Sequence, residues 1–262
     1  PKQFPRLHGL FTEVRSTLDW EPETELFVSQ TPFANAGAFG MDQPFIVINS
    51  GAVKLLDDDE MRALLGHELG HVMSGHALYH TLLVILLNVS LSALPFLAGM
   101  ALLPIQLALL EWFRKSELSS DRAGLLATQD PVASLRLHLK FAGGGDMSQM
   151  DLDAFLVQAK AYEESGGALD RIFKILGVMG RSHPFNTMRA AELQRWIEAG
   201  HYERILRGEY PKRGPEAEQR PLDQDIDEAR DYYMKEAKAV VNDVVDSAKR
   251  AAQAFSDAFK KK

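Results

Sequence analysis

Two histidines and a glutamate stand at a spacing that suits metal-dependent hydrolysis. Residues 66–71 read Gly-His-Glu-Leu-Gly-His, which places His67 and His71 four positions apart. On a helix, side chains at this spacing lie on one face about one turn apart, so both imidazoles can bind one Zn²⁺. Glu68 adjoins the first histidine, where its carboxylate can take a proton from water. This is the HExxH pattern of zinc hydrolases.

The apolar surroundings favour a metal site over a chance cluster. The five-residue pattern alone also occurs in unrelated helices, but here it lies in a strongly apolar stretch. Burying two uncoordinated histidines and a carboxylate in such a helix would cost free energy. The sequence therefore predicts one zinc ion per chain, with His67 and His71 among its ligands.

A catalytic zinc needs a third protein ligand and leaves one position for water. His76 follows His67 by nine residues, so on a continuous helix it points about 180° away and is expected to pack or to support the site. Glu117 and Asp121 are better candidates, because side chains four apart on a later helix share one face. One carboxylate can bind the metal while the other accepts an N–H from a ligating imidazole. An ordinary solvated helix face is the alternative.

The combined motifs resemble the M48 family of gluzincin metallopeptidases, which includes the HtpX-like membrane proteases. The resemblance extends over about residues 31–200 and rests on three motifs. They are HELGH at 67–71, Glu-x-x-x-Asp at 117–121, and Ser-His-Pro-Phe at 182–185 with Arg189. The resemblance implies zinc ligands at His67, His71 and Glu117, Glu68 as the general base, and Asp121 as the residue that supports a ligand.

The resemblance also suggests substrate-binding residues. It places His183 and Arg189 near the site, where they help bind substrate or the oxyanion; a purely structural role for both is equally open. Residues 33–36 are similar to the edge strand of the family, so Asn35 and Ala36 are expected to contact substrate. An edge strand can bind an extended peptide by strand addition.

The elements that must position these residues follow from periodicity and composition. Residues 4–20 have helical apolar spacing, and 25–30 and 44–49 are predicted strands around the small-residue segment 33–40. Acidic residues at 57–60 favour a helix start just before Met61. Later helices are predicted at 111–127, 131–142, 151–164, 172–178 and 188–199. The expected fold is mainly α with a small β-sheet, an α+β class, and the family resemblance implies a zincin-like fold.

A long segment without charged residues follows the HELGH motif. Residues 69–110 contain no Asp, Glu, Lys or Arg. Pro95, Gly99 and Pro104 interrupt this segment and favour a helical hairpin at 78–94 and 96–110, each part shorter than the roughly 20 residues that cross a bilayer. The hairpin is expected either in the protein core or in contact with a membrane. The location is accordingly expected to be cytoplasmic or membrane-associated.

The remaining sequence completes the predicted organisation. Residues 1–209 form the expected peptidase domain, 210–221 a linker, and 222–262 an amphipathic C-terminal helix. The chain carries 29 Lys and Arg against 36 Asp and Glu, a formal charge of −7, which argues against nucleic acid as a partner. It contains no Cys, which excludes disulfides and a thiol nucleophile.

The function predicted from these observations is zinc-dependent hydrolysis of peptide bonds in proteins, with misfolded or membrane-associated proteins as candidate substrates. The alternative is a non-catalytic adaptor or chaperone-like module that keeps the metal for structure. Glu68 favours the enzyme, because a structural zinc has no use for a base.

Overall fold

The computed structural model describes residues 2–40, 43–76, 96–164 and 185–210. For residues 96–111 and 163–164 it describes the backbone alone. Several predictions therefore lie outside the described residues. They are the hairpin segment 78–94, the helix 172–178, the role of His183, the linker 210–221 except Tyr210, and the C-terminal helix 222–262. The helices are α1 Pro5–Thr17, α2 Ser50–Leu55, α3 Asp58–Met73, α4 Phe96–Thr128, α5 Pro131–Gly143, α6 Leu152–Glu164, α7 Asn186–Glu198 and α8 His201–Leu206. The strands are β1 Glu25–Ser29, β2 Ala36–Phe39 and β3 Phe45–Asn49.

These elements confirm the mainly helical α+β architecture. Described residues 2–40, 43–76, 113–164 and 185–210 belong to one compact unit, which carries every site residue described below. Residues 96–112 belong to a second unit. No helix among the described residues is long and apolar enough to span a membrane.

The sheet has three strands in the order β1-β3-β2. β1 runs parallel to β3, whereas β2 pairs antiparallel to β3, with Ala36 opposite Ile48 and Phe39 opposite Phe45. Ile46 and Ile48 of β3 are fully buried in a core shared with α1 and α3. β2 lies within the small-residue segment 33–40, which the sequence placed between the two predicted strands. The family resemblance implied an edge strand at residues 33–36, and the strand observed at Ala36–Phe39 overlaps that segment at Ala36. Its Ala-Gly-Ala-Phe composition carries little strand propensity.

Helix α3 begins with a capping box. The Asp57 side chain accepts from the Glu60 backbone N–H, and the Glu60 side chain accepts from the Asp57 N–H. The helix therefore starts at Asp58, within the acidic segment 57–60 that the sequence predicted as its start. Glu60 is fully buried and pairs with Arg136 at 3.0 Å and Lys140 at 2.6 Å, both from α5. This ion-pair network fixes the start of the helix that carries the histidines.

Helix α4 is longer than predicted, and two short helices were missed. Residues 96–110 and 111–127 form one helix, Phe96–Thr128, because Pro104 removes only one backbone donor and does not end it. α2 and α8 have six residues each, too few for an apolar period to stand out.

Glycines let α3 and α4 approach closely. A Cβ on Gly66 would overlap the Ala127 Cβ and lie 3.0 Å from the Gly124 Cα. A Cβ on Gly124 would lie 2.5 Å from the Ala63 carbonyl oxygen. Because the obstructing atoms are backbone or first side-chain carbons, they cannot swing aside. This contact brings the HELGH face of α3 against the face of α4 that carries Glu117.

We expect Gly66→Ala to destabilise the protein by about 1–3 kcal/mol, because the added methyl group would force α3 and α4 apart. Urea unfolding in the presence of chelator would measure the change. Gly9→Ala on α1 is the matched control, since nothing lies within 4 Å of its Cβ position, and should be neutral or stabilising by up to about 1 kcal/mol. Equal effects of the two substitutions would contradict the close helix contact.

Candidate active site

The predicted ligands meet in the interior of the first unit. His67 and His71 are buried on α3 and Glu117 is buried on α4. The Nε2 atoms of the histidines are 3.1 Å apart. Glu117 places Oε1 3.2 Å from His71 Nε2 and Oε2 3.6 Å from His67 Nε2. One potential ligand atom from each residue lies within 4.8 Å of the others, an arrangement that could hold a metal ion.

Asp121 lies behind His67. Its Oδ1 is 2.9 Å from His67 Nδ1, while Nε2 of the same ring turns towards Glu117. A ring with Nδ1–H donating to a carboxylate keeps its Nε2 lone pair for a metal. Burial, followed by the charge of Arg189, lowers the pKa of His67 to about 3. The imidazole is therefore neutral at neutral pH, which is the form that binds metal.

Arg189 lies among the supporting residues. Its Nε donates to Asp121 Oδ2 at 2.9 Å, its Nη2 bonds Asp121 Oδ1, and its Nη1 is 3.3 Å from Glu117 Oε2. Burial alone would raise the pKa of Asp121, but the charge of Arg189, the electrostatic effect of His138 and hydrogen bonds from Arg189 and His67 lower it well below its usual range. Arg189 is buried and does not line the cleft described below, so its contacts suit a role in positioning Asp121 and Glu117.

His76 lies beside the site, unlike the prediction from a continuous helix. α3 ends at Met73, and Gly75 adopts a φ of +64°, a left-handed conformation that is common just after the end of a helix. His76 Nδ1 therefore comes within 3.1 Å of His71 Nδ1. Burial, with the charge of His71 as the second cause, lowers the pKa of His76 to about 4. The supporting role predicted for His76 is consistent with this contact.

Two further residues were missed by sequence reasoning. His138 on α5 is buried, with Nε2 3.6 Å from Asp121 Oδ1 and Nδ1 3.3 Å from Asn186 Oδ1. Burial lowers the pKa of His138. His138 and Asn186 lie on separate helices far apart along the chain, so spacing gave no signal. The one available signal in the sequence was a histidine within the largely apolar stretch that forms α5.

A cleft of about 230 Å³ opens beside the ligands. It is lined by Glu68, His71 and His76, by Glu117 and Phe113 of α4, and by the whole of β2. Asn35 and Ala36, the predicted substrate-contacting residues, are among the lining residues. The Asn35 carbonyl also accepts from the Asn49 N–H at 3.0 Å, which anchors the start of β2. His183 lies outside the described residues, so its predicted role is not tested.

Buried carboxylates lie close to the predicted ligands. Among the described residues, Glu68, Glu117 and Asp121 are buried, and Arg189 is a buried cation that contacts Asp121 and Glu117. Buried charge is costly unless it is paired. A divalent ion held by two imidazole nitrogens and a carboxylate would add positive charge to this group.

Comparison with known proteins identifies the family. The sequence profile of peptidase family M48 matches residues 1–197. The chain belongs to this family. Membership confirms the resemblance carried by the HELGH and Glu-x-x-x-Asp motifs.

Two relatives each match about three quarters of the chain. Plastoglobule-localized metallopeptidase 48, chloroplastic, of Arabidopsis thaliana is 34% identical over 210 residues, covering 78% of this chain and 60% of the relative. A protease HtpX homolog of Pseudarthrobacter chlorophenolicus is 29% identical over 218 residues, covering 74% of this chain and 73% of the relative. The chain thus spans about 60% of the length of the plant relative. No solved structure matches the chain.

Proposed function

We propose that this protein is a zinc-dependent metalloendopeptidase that hydrolyses peptide bonds in extended segments of protein substrates. One observation carries the proposal. His71 and Glu117, two members of a cluster that could hold a metal, line one cleft together with Glu68 and an edge strand of the sheet. A zincin-like fold, in which an active-site helix lies beside such a strand, is part of the proposal.

Zinc fits the residues present. Two histidine nitrogens and one carboxylate are a donor set that catalytic zinc sites use, and they leave a position for water or substrate. We assign one zinc per chain to His67, His71 and Glu117. Bound there, zinc would supply Lewis-acid polarisation of the scissile carbonyl and would acidify water.

The side chains around the ligands would move and hold protons. Glu68 lines the cleft beside His71, and its carboxylate would take a proton from the attacking water and pass it to the leaving amine. Asp121 accepts from His67 Nδ1–H and keeps that ring in its metal-binding tautomer. Arg189 contacts both Asp121 and Glu117, and its charge favours the ionised form of the buried Asp121.

Strand β2 would align the substrate. It pairs with β3 along one edge, and all four of its residues line the cleft. A peptide lying beside β2 in extended form would take main-chain hydrogen bonds from a strand that presents mainly small side chains. Asn35 and Ala36 stand at the start of this strand, where we place part of the substrate contact.

Membrane association remains a separate proposal. One relative is named as plastoglobule-localized and others as protease HtpX homologs. The charge-free run of residues 69–110 supports contact of the 78–110 segment with a membrane. Carbonate extraction of cells expressing the chain tests this, since complete release into the supernatant would contradict membrane association.

The function is tested by metal content and proteolysis measured on one preparation. We expect one zinc per chain by elemental analysis and digestion of unfolded casein that stops when a chelator removes the metal. Chelation should also lower the melting temperature, because a metal bound only by the folded state stabilises it. Stoichiometric zinc with no proteolysis of any unfolded substrate would favour the adaptor or chaperone-like alternative.

A further inference from the structure

The face of the sheet that points away from the core is aromatic. The register pairs Phe39 with Phe45 and Phe27 with Val47, so these four side chains share one face. The Phe45 ring centroid lies 5.8 Å from the Phe27 and Phe39 centroids, edge-on to the first and stacked on the second. Phe27 and Phe39 are still 47% and 50% exposed. This leaves apolar ring surface available to a ligand.

The aromatic face is continuous with the catalytic cleft. Phe39 and Val47 line the same cleft as Glu68 and His71, and Phe113 of α4 adds another ring to its lining. A side chain that enters the cleft beside the reacting groups can therefore also reach the aromatic face. We call Phe39, Phe45 and Val47 the aromatic wall.

Gly37 sets the position of the Phe39 ring. A Cβ on Gly37 would lie 2.8 Å from Phe39 Cζ and 2.9 Å from its Cε2. The ring therefore folds back over the glycine along β2, towards the part of the strand that begins at Ala36. Any side chain at position 37 would displace the ring. The wall thus depends on a glycine that leaves space for an aromatic neighbour.

We propose that the aromatic wall makes this peptidase prefer substrates with a large apolar side chain, aromatic before aliphatic, beside the bond that is cut. The inference rests on the proposed peptidase function. In a peptide added beside β2, alternate side chains project to the face of the sheet that carries Phe39. There an aromatic side chain can pack against the Phe39 ring, which provides both apolar contact and ring pairing.

The aromatic wall disfavours acidic side chains. Phe39 and Val47 present apolar surface to the cleft, so a carboxylate placed against them would lose hydration. Peptides with an acidic residue at this substrate position should therefore be cleaved most slowly.

Quenched fluorescent peptides that differ at one position would test the preference in the zinc-loaded protein. The variable position carries Phe, Leu, Ala or Asp and is scanned across both sides of the cut. We expect one position where kcat/KM for Phe exceeds that for Ala by about tenfold or more, with Asp the slowest. Phe39→Ala should lower this Phe-to-Ala ratio by at least about threefold.

The controls separate the wall from general effects. Phe33→Ala removes a phenylalanine that is 76% exposed and does not line the cleft, and it should leave the ratio unchanged. Gly37→Ala should lower the ratio in the same direction as Phe39→Ala, because it displaces the ring without removing it. This second variant keeps the test decisive if Phe39→Ala folds poorly.

An unchanged ratio in both Phe39→Ala and Gly37→Ala, or no preference at any position, would overturn the inference. Chelator-sensitive digestion of casein by the same preparation would show that the proposed function stands even then. Absence of that digestion would overturn the proposed function and the preference with it.

Exposed aromatic rings could instead bind lipid. Co-sedimentation with phosphatidylcholine–phosphatidylglycerol vesicles would test this second use. Vesicle binding lost in Phe39→Ala with an unchanged peptide ratio would assign the wall to lipid.

Discussion

Glu68→Gln should remove nearly all peptidase activity while leaving zinc content and stability close to those of the unsubstituted protein. Glu68 lines the cleft beside His71 but does not belong to the cluster that could hold the metal. The amide of Gln has nearly the same shape but cannot accept a proton at neutral pH. General-base catalysis is worth about 10²–10⁴-fold, so kcat should fall by that factor. Casein digestion and elemental analysis of the same sample measure both quantities.

Glu60→Gln is the matched control for this prediction. Glu60 is also a buried glutamate of α3, but it pairs with Arg136 and Lys140 away from the ligands. Losing its charge leaves two cations without their buried partner, so stability should fall, while the folded fraction keeps its kcat. Glu68→Gln activity within a few fold of that of the unsubstituted protein, at full zinc occupancy, would contradict the assigned role of Glu68.

The start of α3 and the ligand spacing could be predicted because their determinants are local. Asp57 and Glu60 stand three residues apart, as a capping box requires, and the structure shows both of its hydrogen bonds. His67 and His71 share a helix face by spacing alone. The structure brings both of them to Glu117, about 50 residues later, where a second helix face supplies the carboxylate.

The rest of the site depends on contacts that spacing does not encode. His76 was predicted to point away because a continuous helix was assumed, but α3 ends before the left-handed Gly75, and His76 contacts His71. His138 reaches Asp121 from another helix. The resemblance indicated an edge strand at residues 33–36, whereas strand formation at Ala36–Phe39 depends on pairing with β3. A local change of backbone conformation decided the first feature, and contacts between separate elements decided the other two.

Glu117→Ala should weaken zinc binding more than Asp121→Ala does. Glu117 approaches the Nε2 atoms of both histidines, whereas Asp121 contacts Nδ1, on the other side of His67. Losing a supporting partner typically lowers metal affinity by about 10–100-fold. Losing a ligand should lower metal affinity by more than this. Competition with a chromogenic chelator measures both affinities.

The Asp121 substitution needs a control for stability, because it also leaves the Arg189 guanidinium buried without its main partner. Asp121→Asn keeps the shape and an acceptor oxygen, so it separates the loss of charge from the loss of packing. Ser119→Ala changes an exposed position between the two carboxylates whose hydroxyl donates to the Ser116 carbonyl, and it should leave zinc affinity unchanged. Zinc lost more readily from Asp121→Ala and Asp121→Asn than from Glu117→Ala would reverse the order of the two carboxylates. Asp121 would then be the ligand, and Glu117 would support it.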